Sequence, residues 1–175
     1  MGRIKPPDLV KLMCSIMAGD PVLIEEARVT LSALFGSVDF ASEVFQFDRT
    51  SYYEAESGPN LLRQIVTFER LVDPECLPDV KITTNELEQR WAIDGRRRVN
   101  LDPGYVTLAK LVLATTKDHG HRVYLRDGIY AEVTLRYRDG HFAAWEWTYP
   151  DYGSPAYRAL FDGIRARYMR QFRNL

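Results

Sequence analysis

The chain has 175 residues, of which 46% are hydrophobic and 27% charged, and its formal net charge at pH 7 is -1. This length and composition are typical of one globular domain, so we predict a single domain over residues 1–175. The near-neutral charge disfavours nucleic acid as a partner, and no apolar run reaches the roughly 18 residues of a membrane-spanning helix. The two cysteines, Cys14 and Cys76, have no Cys or His at metal-binding spacing, so we expect a reduced, cytoplasmic protein.

The first hundred residues predict the element order β-α-β-β-α-β. This is the order of a ferredoxin-like core, in which both helices cover one face of an antiparallel sheet. Short apolar or alternating runs, bounded by glycine, proline and polar residues, mark the strands. The predicted strands are residues 9–18, 38–47, 61–72 and 96–101, and the polar segment 48–60 is expected to be a loop.

Two capping signals predict the helices of this core. Asp20 followed by Pro21 is typical of an N-cap and the first helical position, and Gly36 suits the end of that helix. Thr83 and Glu86 form a capping box, which predicts a second helix from about residue 82 to residue 93. The predicted inner stripe of the first helix is Leu23, Ala27, Leu31 and Leu34.

The pattern changes beyond residue 101. Asp102-Pro103 repeats the earlier cap signal and predicts a short helix that ends at Gly120, while the β-branched residues there favour a strand over 105–113 instead. From His121 the hydrophobic period becomes two. Asp-Gly pairs at 127–128 and 139–140 then predict the hairpin turns of a three-stranded antiparallel meander. A C-terminal helix capped by Ser154-Pro155 follows, with the inner stripe Tyr157, Leu160, Phe161, Ile164, Tyr168 and Phe172.

The register of the meander predicts one face that mixes titratable and aromatic groups. With two-residue turns, His121 lies opposite Thr134, Thr134 opposite Trp145, and Glu132 opposite Val123 and Trp147. Polar groups beside apolar rings are typical of a ligand-binding surface. The alternative is that the tryptophans pack under a helix or loop and that Glu132 pairs with Arg136 or His121. The opposite face, which includes Tyr124, Ala131, Val133 and Leu135, is predicted to be core.

The segment 96–121 leads into this face and adds basic and polar groups. Arg98, Asn100 and the N–H groups after Asp102 suit an anion site at a helix N-terminus, although Asp102 as a cap would occupy those donors and repel an anion. We predict that a small anionic or nucleotide-like ligand binds between this segment and the mixed face. The candidate ligand-binding residues are Arg98, Asn100, Lys117, His119, His121, Glu132, Thr134 and Trp145.

Two other functions stay open. His121 and Glu132 are candidates for acid-base catalysis on the same face, and whether the protein is an enzyme is left undecided. His119, His121 and Glu132 lack any signature metal spacing, so no metal is predicted, and no cofactor or oligomeric state is indicated. The second alternative is a protein or RNA interaction module on the C-terminal helix. That helix carries Arg158, Arg165, Arg167, Arg170 and Arg173, although cations near a helix C-terminus need no partner.

Six segments of the chain resemble a known family, domain of unknown function 4416. They are FERL at 68–71, TNEL at 84–87, RRVNLDPGY at 97–105, KLVLATTKD at 110–118, GIYAEVTL at 128–135 and WTYPDY at 147–152. The resemblance covers nearly the whole chain and implies no established activity. Some members carry a GTP-binding label, whereas this sequence contains neither GxxxxGK[ST] nor GxGxxG.

Overall fold

The computed structural model describes residues 2–47 and 61–174, so the predicted loop at 48–60 lies outside the described residues. Within them, three α-helices pack against one antiparallel sheet of nine strands, which is an α+β architecture. The helices are α1 (Pro21–Phe35), α2 (Leu77–Arg90) and α3 (Pro155–Phe172). The strands are β1 (Val10–Ala18), β2 (Val38–Ala41), β3 (Phe45–Gln46), β4 (Leu62–Val72), β5 (Val99–Val106), β6 (Lys110–Thr115), β7 (Arg122–Arg126), β8 (Ile129–Arg138) and β9 (His141–Ala144).

The sheet runs in the order β2-β4-β1-β5-β6-β8-β7, with β3 beside β4 and β9 beside β8. Strand β1 lies at the centre of the first half and is buried along its whole length. Its even-numbered residues pack with α1 and α2 on one face of the sheet, and its Met13 packs with α3 on the other. The sheet therefore separates two large hydrophobic clusters, as expected where apolar side chains alternate between two covered faces. A third, smaller cluster joins Leu77 of α2 to Val112, Ala114 and Ile129 of the second half of the sheet.

Helix α1 follows its cap signal closely. The Asp20 carboxylate accepts a hydrogen bond from the Val22 N–H at 2.8 Å, and Gly36, with φ 100°, ends the helix. Leu34 was predicted on the inner stripe but is 52% exposed, and Ile24 is buried instead. The inner stripe therefore ends one turn earlier than the sequence pattern predicts.

The capping box predicted for the second helix is wrong. Asp73 caps a 3-10 turn at Pro74–Cys76 by accepting from the Glu75 N–H, and this turn leads directly into α2. Helix α2 thus begins at Leu77, and Thr83 lies in its interior. Proline fits the first turn of a helix, where its missing N–H leaves no bond unmade, so the prolines of this segment start the helix rather than preventing it.

The short helix predicted after Asp102-Pro103 is also wrong, and the competing strand interpretation is closer. Residues 99–106 form β5 and residues 110–115 form β6. Eight residues of β5 pair with β1, so tertiary pairing overrides the local cap signal at Asp102. The Asp102 side chain accepts from the Asn100 amide at 2.8 Å instead of capping a helix.

The meander and both of its Asp-Gly turns are confirmed, since φ is positive at both central residues of each turn. The register predicted for β7 is wrong by one residue, because an irregularity between Tyr124 and Arg126 places Val123 opposite Ala131 rather than Glu132. Tyr124 is consequently not core but 57% exposed on the edge strand. Strand β9 ends at Ala144, so Trp145 and Trp147 lie beyond it.

Helix α3 begins at its predicted cap, where the Ser154 hydroxyl accepts from the Tyr157 N–H. It buries Phe161, Ile164 and Tyr168 against the sheet face opposite α1 and α2. The Tyr168 hydroxyl donates to the Leu9 carbonyl at 2.6 Å, which joins the end of the helix to the segment before β1. No helix among the described residues is long and apolar enough to cross a membrane.

Candidate functional site

The sheet splits between β5 and β6. Residues 104–106 of β5 pair with residues 111–113 of β6. On the N-terminal side of Gly104, β5 is no longer paired with β6. Pro103 stands at this point and has no N–H to donate across the gap. A pocket of about 560 Å³ opens there, within the range of small-molecule sites. Its walls include Lys81 of α2 on one side of the sheet and the loop at 149–152 before α3 on the other.

Among the residues that the structure describes, those lining the pocket include more cationic than anionic side chains. Five Lys or Arg side chains face three carboxylates, in addition to His119 and several uncharged polar groups. Such an excess of positive charge in a concave site attracts anions. The cations are Arg63, Lys81, Arg97, Lys117 and Arg122, and the carboxylates are Asp102, Glu132 and Asp151.

Arg63 of β4 lines the pocket and is only 3% exposed. Its guanidinium forms an ion pair with Asp151, donates to the Tyr157 hydroxyl at 3.2 Å and lies 4.1 Å from the centre of the Phe47 ring. A buried arginine needs this kind of pairing, because an uncompensated charge away from water is costly. The ion pair ties the loop before α3 to the middle of the sheet.

Lys81 and Asp102 form a second charged pair in the pocket, with 3.5 Å between Nζ and Oδ1. The Lys81 ammonium also donates to the Leu101 carbonyl at 2.9 Å, and its residue is 6% exposed. Nearby, Glu88 accepts from the Leu101 N–H at 2.6 Å and pairs with Arg97 at 3.2 Å. Burial raises the pKa of Glu88, although both of these contacts oppose the rise.

Glu132 of β8 is held by three donors. Its carboxylate accepts from Arg122 Nε at 2.8 Å and from the Thr134 hydroxyl at 3.2 Å, and it lies 3.1 Å from His121 Nε2. The side chains of Arg122 and Glu132 are each 3% exposed. The irregular pairing of β7 causes this contact, because it places Arg122 directly opposite Glu132. Arg136 and His121 were predicted as alternative partners of Glu132, and the structure contains the contact with His121.

A column of stacked planar groups stands beside the pocket. The rings of His119 and His121 are 6.0 Å apart, those of His121 and Trp147 are 5.4 Å apart, and those of Trp147 and Trp145 are 4.9 Å apart. The Arg136 guanidinium covers the Trp145 ring at 4.1 Å. Stacking of this kind fixes ring orientation. The column ends at His119, which lines the pocket.

Tyr152 lines the pocket and has a buried hydroxyl. The residue is 4% exposed, and its hydroxyl has no hydrogen-bond partner among residues 2–47 and 61–174. Burial raises the pKa of this phenol well above its ordinary value, so the group stays neutral. A neutral phenol can both donate and accept a hydrogen bond.

Four of the eight candidate residues, Asn100, Lys117, His119 and Glu132, line the pocket. His121 faces a shallow depression next to it, together with His119 and Trp147. The remaining three are not among the residues that line the pocket. Arg98 is exposed, Thr134 is fully buried, and Trp145 belongs to the stacked column.

Several pocket residues did not enter the sequence prediction. Arg63 is the clearest example, and its signal was a lone arginine within the apolar strand pattern of residues 61–68. A charge at such a position indicates a buried partner, but the pattern does not identify Asp151, which is 88 residues away. The other residues missed in this way are Lys81, Arg122, Asp151 and Tyr152.

No group of three or more His, Cys, Asp or Glu side chains among the described residues could hold a metal ion.

Comparisons with known proteins identify the family of the chain. Neither the comparison with curated proteins nor that with solved structures found a match. The family model described as a domain of unknown function, DUF4416, matches residues 8–168, and the chain therefore belongs to this family.

Proposed function

We propose that the protein binds a small anionic or nucleotide-like ligand in the pocket between β5 and β6. The observation that carries the proposal is the charge of the described lining residues, which are five cationic side chains and three carboxylates in a pocket of about 560 Å³. Phe47 and Tyr149 add aromatic surface to the same wall. This combination of apolar area with a few convergent polar groups is characteristic of ligand sites.

A thermal-shift comparison tests the proposal. We expect AMP, glucose 6-phosphate, inorganic phosphate or succinate to raise the unfolding temperature, while adenosine and glucose have a smaller effect. A ligand at 100 times its Kd stabilises by about 2.7 kcal/mol, which for a chain of this length is a rise of roughly 5–10 °C. If none of the four anions raises the unfolding temperature, the proposal is wrong.

A pair of variants assigns the effect to the pocket. Lys117→Gln removes an exposed cation that lines the pocket, and Lys110→Gln removes an exposed cation that does not. We expect the first variant to reduce the ligand-induced shift and the second to retain it. Equal shifts in both variants would mean that the anions bind elsewhere.

The enzyme and interaction hypotheses have weaker support. The Glu132 carboxylate is occupied by Arg122, Thr134 and His121, and His121 faces the neighbouring depression rather than the pocket. Arg165 of α3 donates to the Leu108 carbonyl and covers the Tyr137 ring at 3.5 Å, so it is held within the protein. We therefore favour ligand binding over both alternatives.

We also infer that β1, α1, β2, β4, α2 and β5 form a ferredoxin-like unit. The strand order β2-β4-β1-β5, with antiparallel neighbours, supports this interpretation. So does the packing of both α1 and α2 against the same face of β1. The pocket would then lie at the junction between this unit and the meander.

A further inference from the structure

Most of the permanent positive charge around the pocket is paired with carboxylates of the protein. Four of the five described lining cations form ion pairs, which are Arg63–Asp151, Lys81–Asp102, Arg97–Glu88 and Arg122–Glu132. An anion that enters the pocket therefore meets only a small excess of positive charge. One further charge on the pocket wall would change its binding appreciably, because the interaction of two charges a few ångströms apart is strong even near solvent.

His119 is a group in the pocket wall that can supply such a charge. The residue is exposed, and it lines both the pocket and the shallow depression next to it. One face of its ring stacks on His121, but its ring nitrogens have no hydrogen-bond or ion-pair partner in the part of the chain that the structure describes. Histidine is the side chain whose ordinary change of charge falls between about pH 5 and 8. His119 can therefore gain a proton without losing a described polar contact.

The charges around His119 make its protonation sensitive to a bound anion. On its own segment the charged and titratable groups are Lys117, Asp118 and His121, and on the elements beside it they are Arg122 of β7, Glu132 of β8 and Tyr149 of the loop before α3. The Glu132 carboxylate is already bonded to Arg122, Thr134 and His121. Without a ligand, a protonated His119 would have mainly cations in the adjacent pocket wall. An anion in the pocket would offset their repulsion.

We propose that anion binding in the pocket is coupled to the uptake of a proton by His119. The affinity would then rise as the pH falls through the range in which histidine gains its charge. This inference rests on the proposed function, because it concerns the regulation of the same site. Coupling of this kind is reciprocal, so an anion that prefers the protonated protein must also raise the fraction of His119 that is protonated.

Titration calorimetry at about pH 6 and about pH 8, in bis-Tris propane buffer, tests the coupling. Sulfate is the first probe, because its own charge is constant over this range. We expect the wild type to bind sulfate about 3- to 10-fold more tightly at the lower pH, which is the effect of one added charge near an anion in contact with water. AMP is the second probe. Its phosphate titrates in the same range, so the protein's contribution is the difference between the wild type and a variant without His119.

His119→Gln is that variant, since it removes the titrating ring and keeps a polar side chain. We expect its affinity for sulfate to change by less than about 2-fold between the two pH values, and its affinity for AMP to rise less than that of the wild type. His141→Gln is the matched control, because His141 is exposed on β9 and is not among the described residues that line the pocket. It should keep the full rise for both probes.

The outcomes separate the inference from the proposed function. If His119→Gln keeps the pH dependence of the wild type, the proton is taken up elsewhere and the inference is wrong, although the pocket still binds anions. Wild-type affinity for sulfate that is unchanged or weaker at the lower pH would also overturn the inference. If sulfate does not bind, the AMP difference between the wild type and His119→Gln decides. Failure of sulfate, AMP, inorganic phosphate and succinate alike would refute both the inference and the proposed function.

Discussion

Individual charged residues at the pocket depend on partners that are distant in the sequence. Arg63 comes from β4, whereas Asp151 precedes α3, and Lys81 of α2 meets Asp102 of β5. Local pattern identified Asn100, Lys117, His119 and Glu132 as candidates because they cluster along the chain or share a predicted strand face. It could not identify Arg63 or Asp151, because the pairing of buried charges is decided by the tertiary fold.

The first prediction concerns the ion pair of Arg63. Asp151→Asn leaves the buried guanidinium without its carboxylate, and we expect the free energy of unfolding to fall by about 3 kcal/mol. Asp139→Asn is the control, because the Arg138–Asp139 pair is exposed and should contribute less than about 1 kcal/mol. Urea unfolding at pH 7 measures both. Similar small losses in the two variants would show that the buried pair does not stabilise the fold.

Elements were predictable where a local signal and the tertiary context agree. The caps at Asp20 and Ser154 and both Asp-Gly turns need only a few neighbouring residues, and all four are present. Asp102-Pro103 has the same local chemistry as Asp20-Pro21, but it lies in a strand that pairs with β1. The local sequence pattern indicates neither the pairing of β5 with β1 nor the irregularity in β7. The split between β5 and β6, which creates the pocket, was therefore not predictable.

Gly104 marks the point at which the split begins, and it gives the second prediction. A Cβ atom there would lie 2.3 Å from the Val112 carbonyl oxygen and 2.8 Å from a methyl carbon of Leu113. Gly104→Ala should therefore force β5 and β6 apart and lower the free energy of unfolding by about 2–3 kcal/mol. Gly120→Ala is the control, since nothing lies within 4 Å of its added Cβ and the expected change is below about 0.5 kcal/mol. Equal stability of the two variants in urea unfolding would contradict the close approach.

At the scale of the whole molecule, one sheet joins the hydrophobic clusters on its two faces. Leu31 of α1 belongs to the core on one face, and Phe161 of α3 belongs to the core on the other. Lys11 of β1 is fully buried and contacts both Asp39 of β2 and, at 2.7 Å, Gln171 of α3. Because the central strands contribute to both cores, we expect both faces to unfold together.

The third prediction tests the single domain proposed for residues 1–175. Leu31→Ala and Phe161→Ala should each lower the free energy of unfolding by about 2–5 kcal/mol, because each leaves a cavity in a packed core. Each variant should show one transition, with tryptophan fluorescence and far-UV circular dichroism changing together. Two separate transitions, with each variant shifting a different one, would contradict a single cooperative unit.

The stacked column has an optical consequence. Of the three tryptophans in the chain, Trp145 and Trp147 lie face to face with 4.9 Å between ring centres and 9° between ring planes. Indoles this close share their excited states, so the pair should produce a distinctive near-ultraviolet dichroic signal. His121 stacks on Trp147 and bonds to Glu132, which lines the pocket. A ligand that displaces the Glu132 carboxylate would change that signal, so the protein contains its own chromophore for following binding without a label.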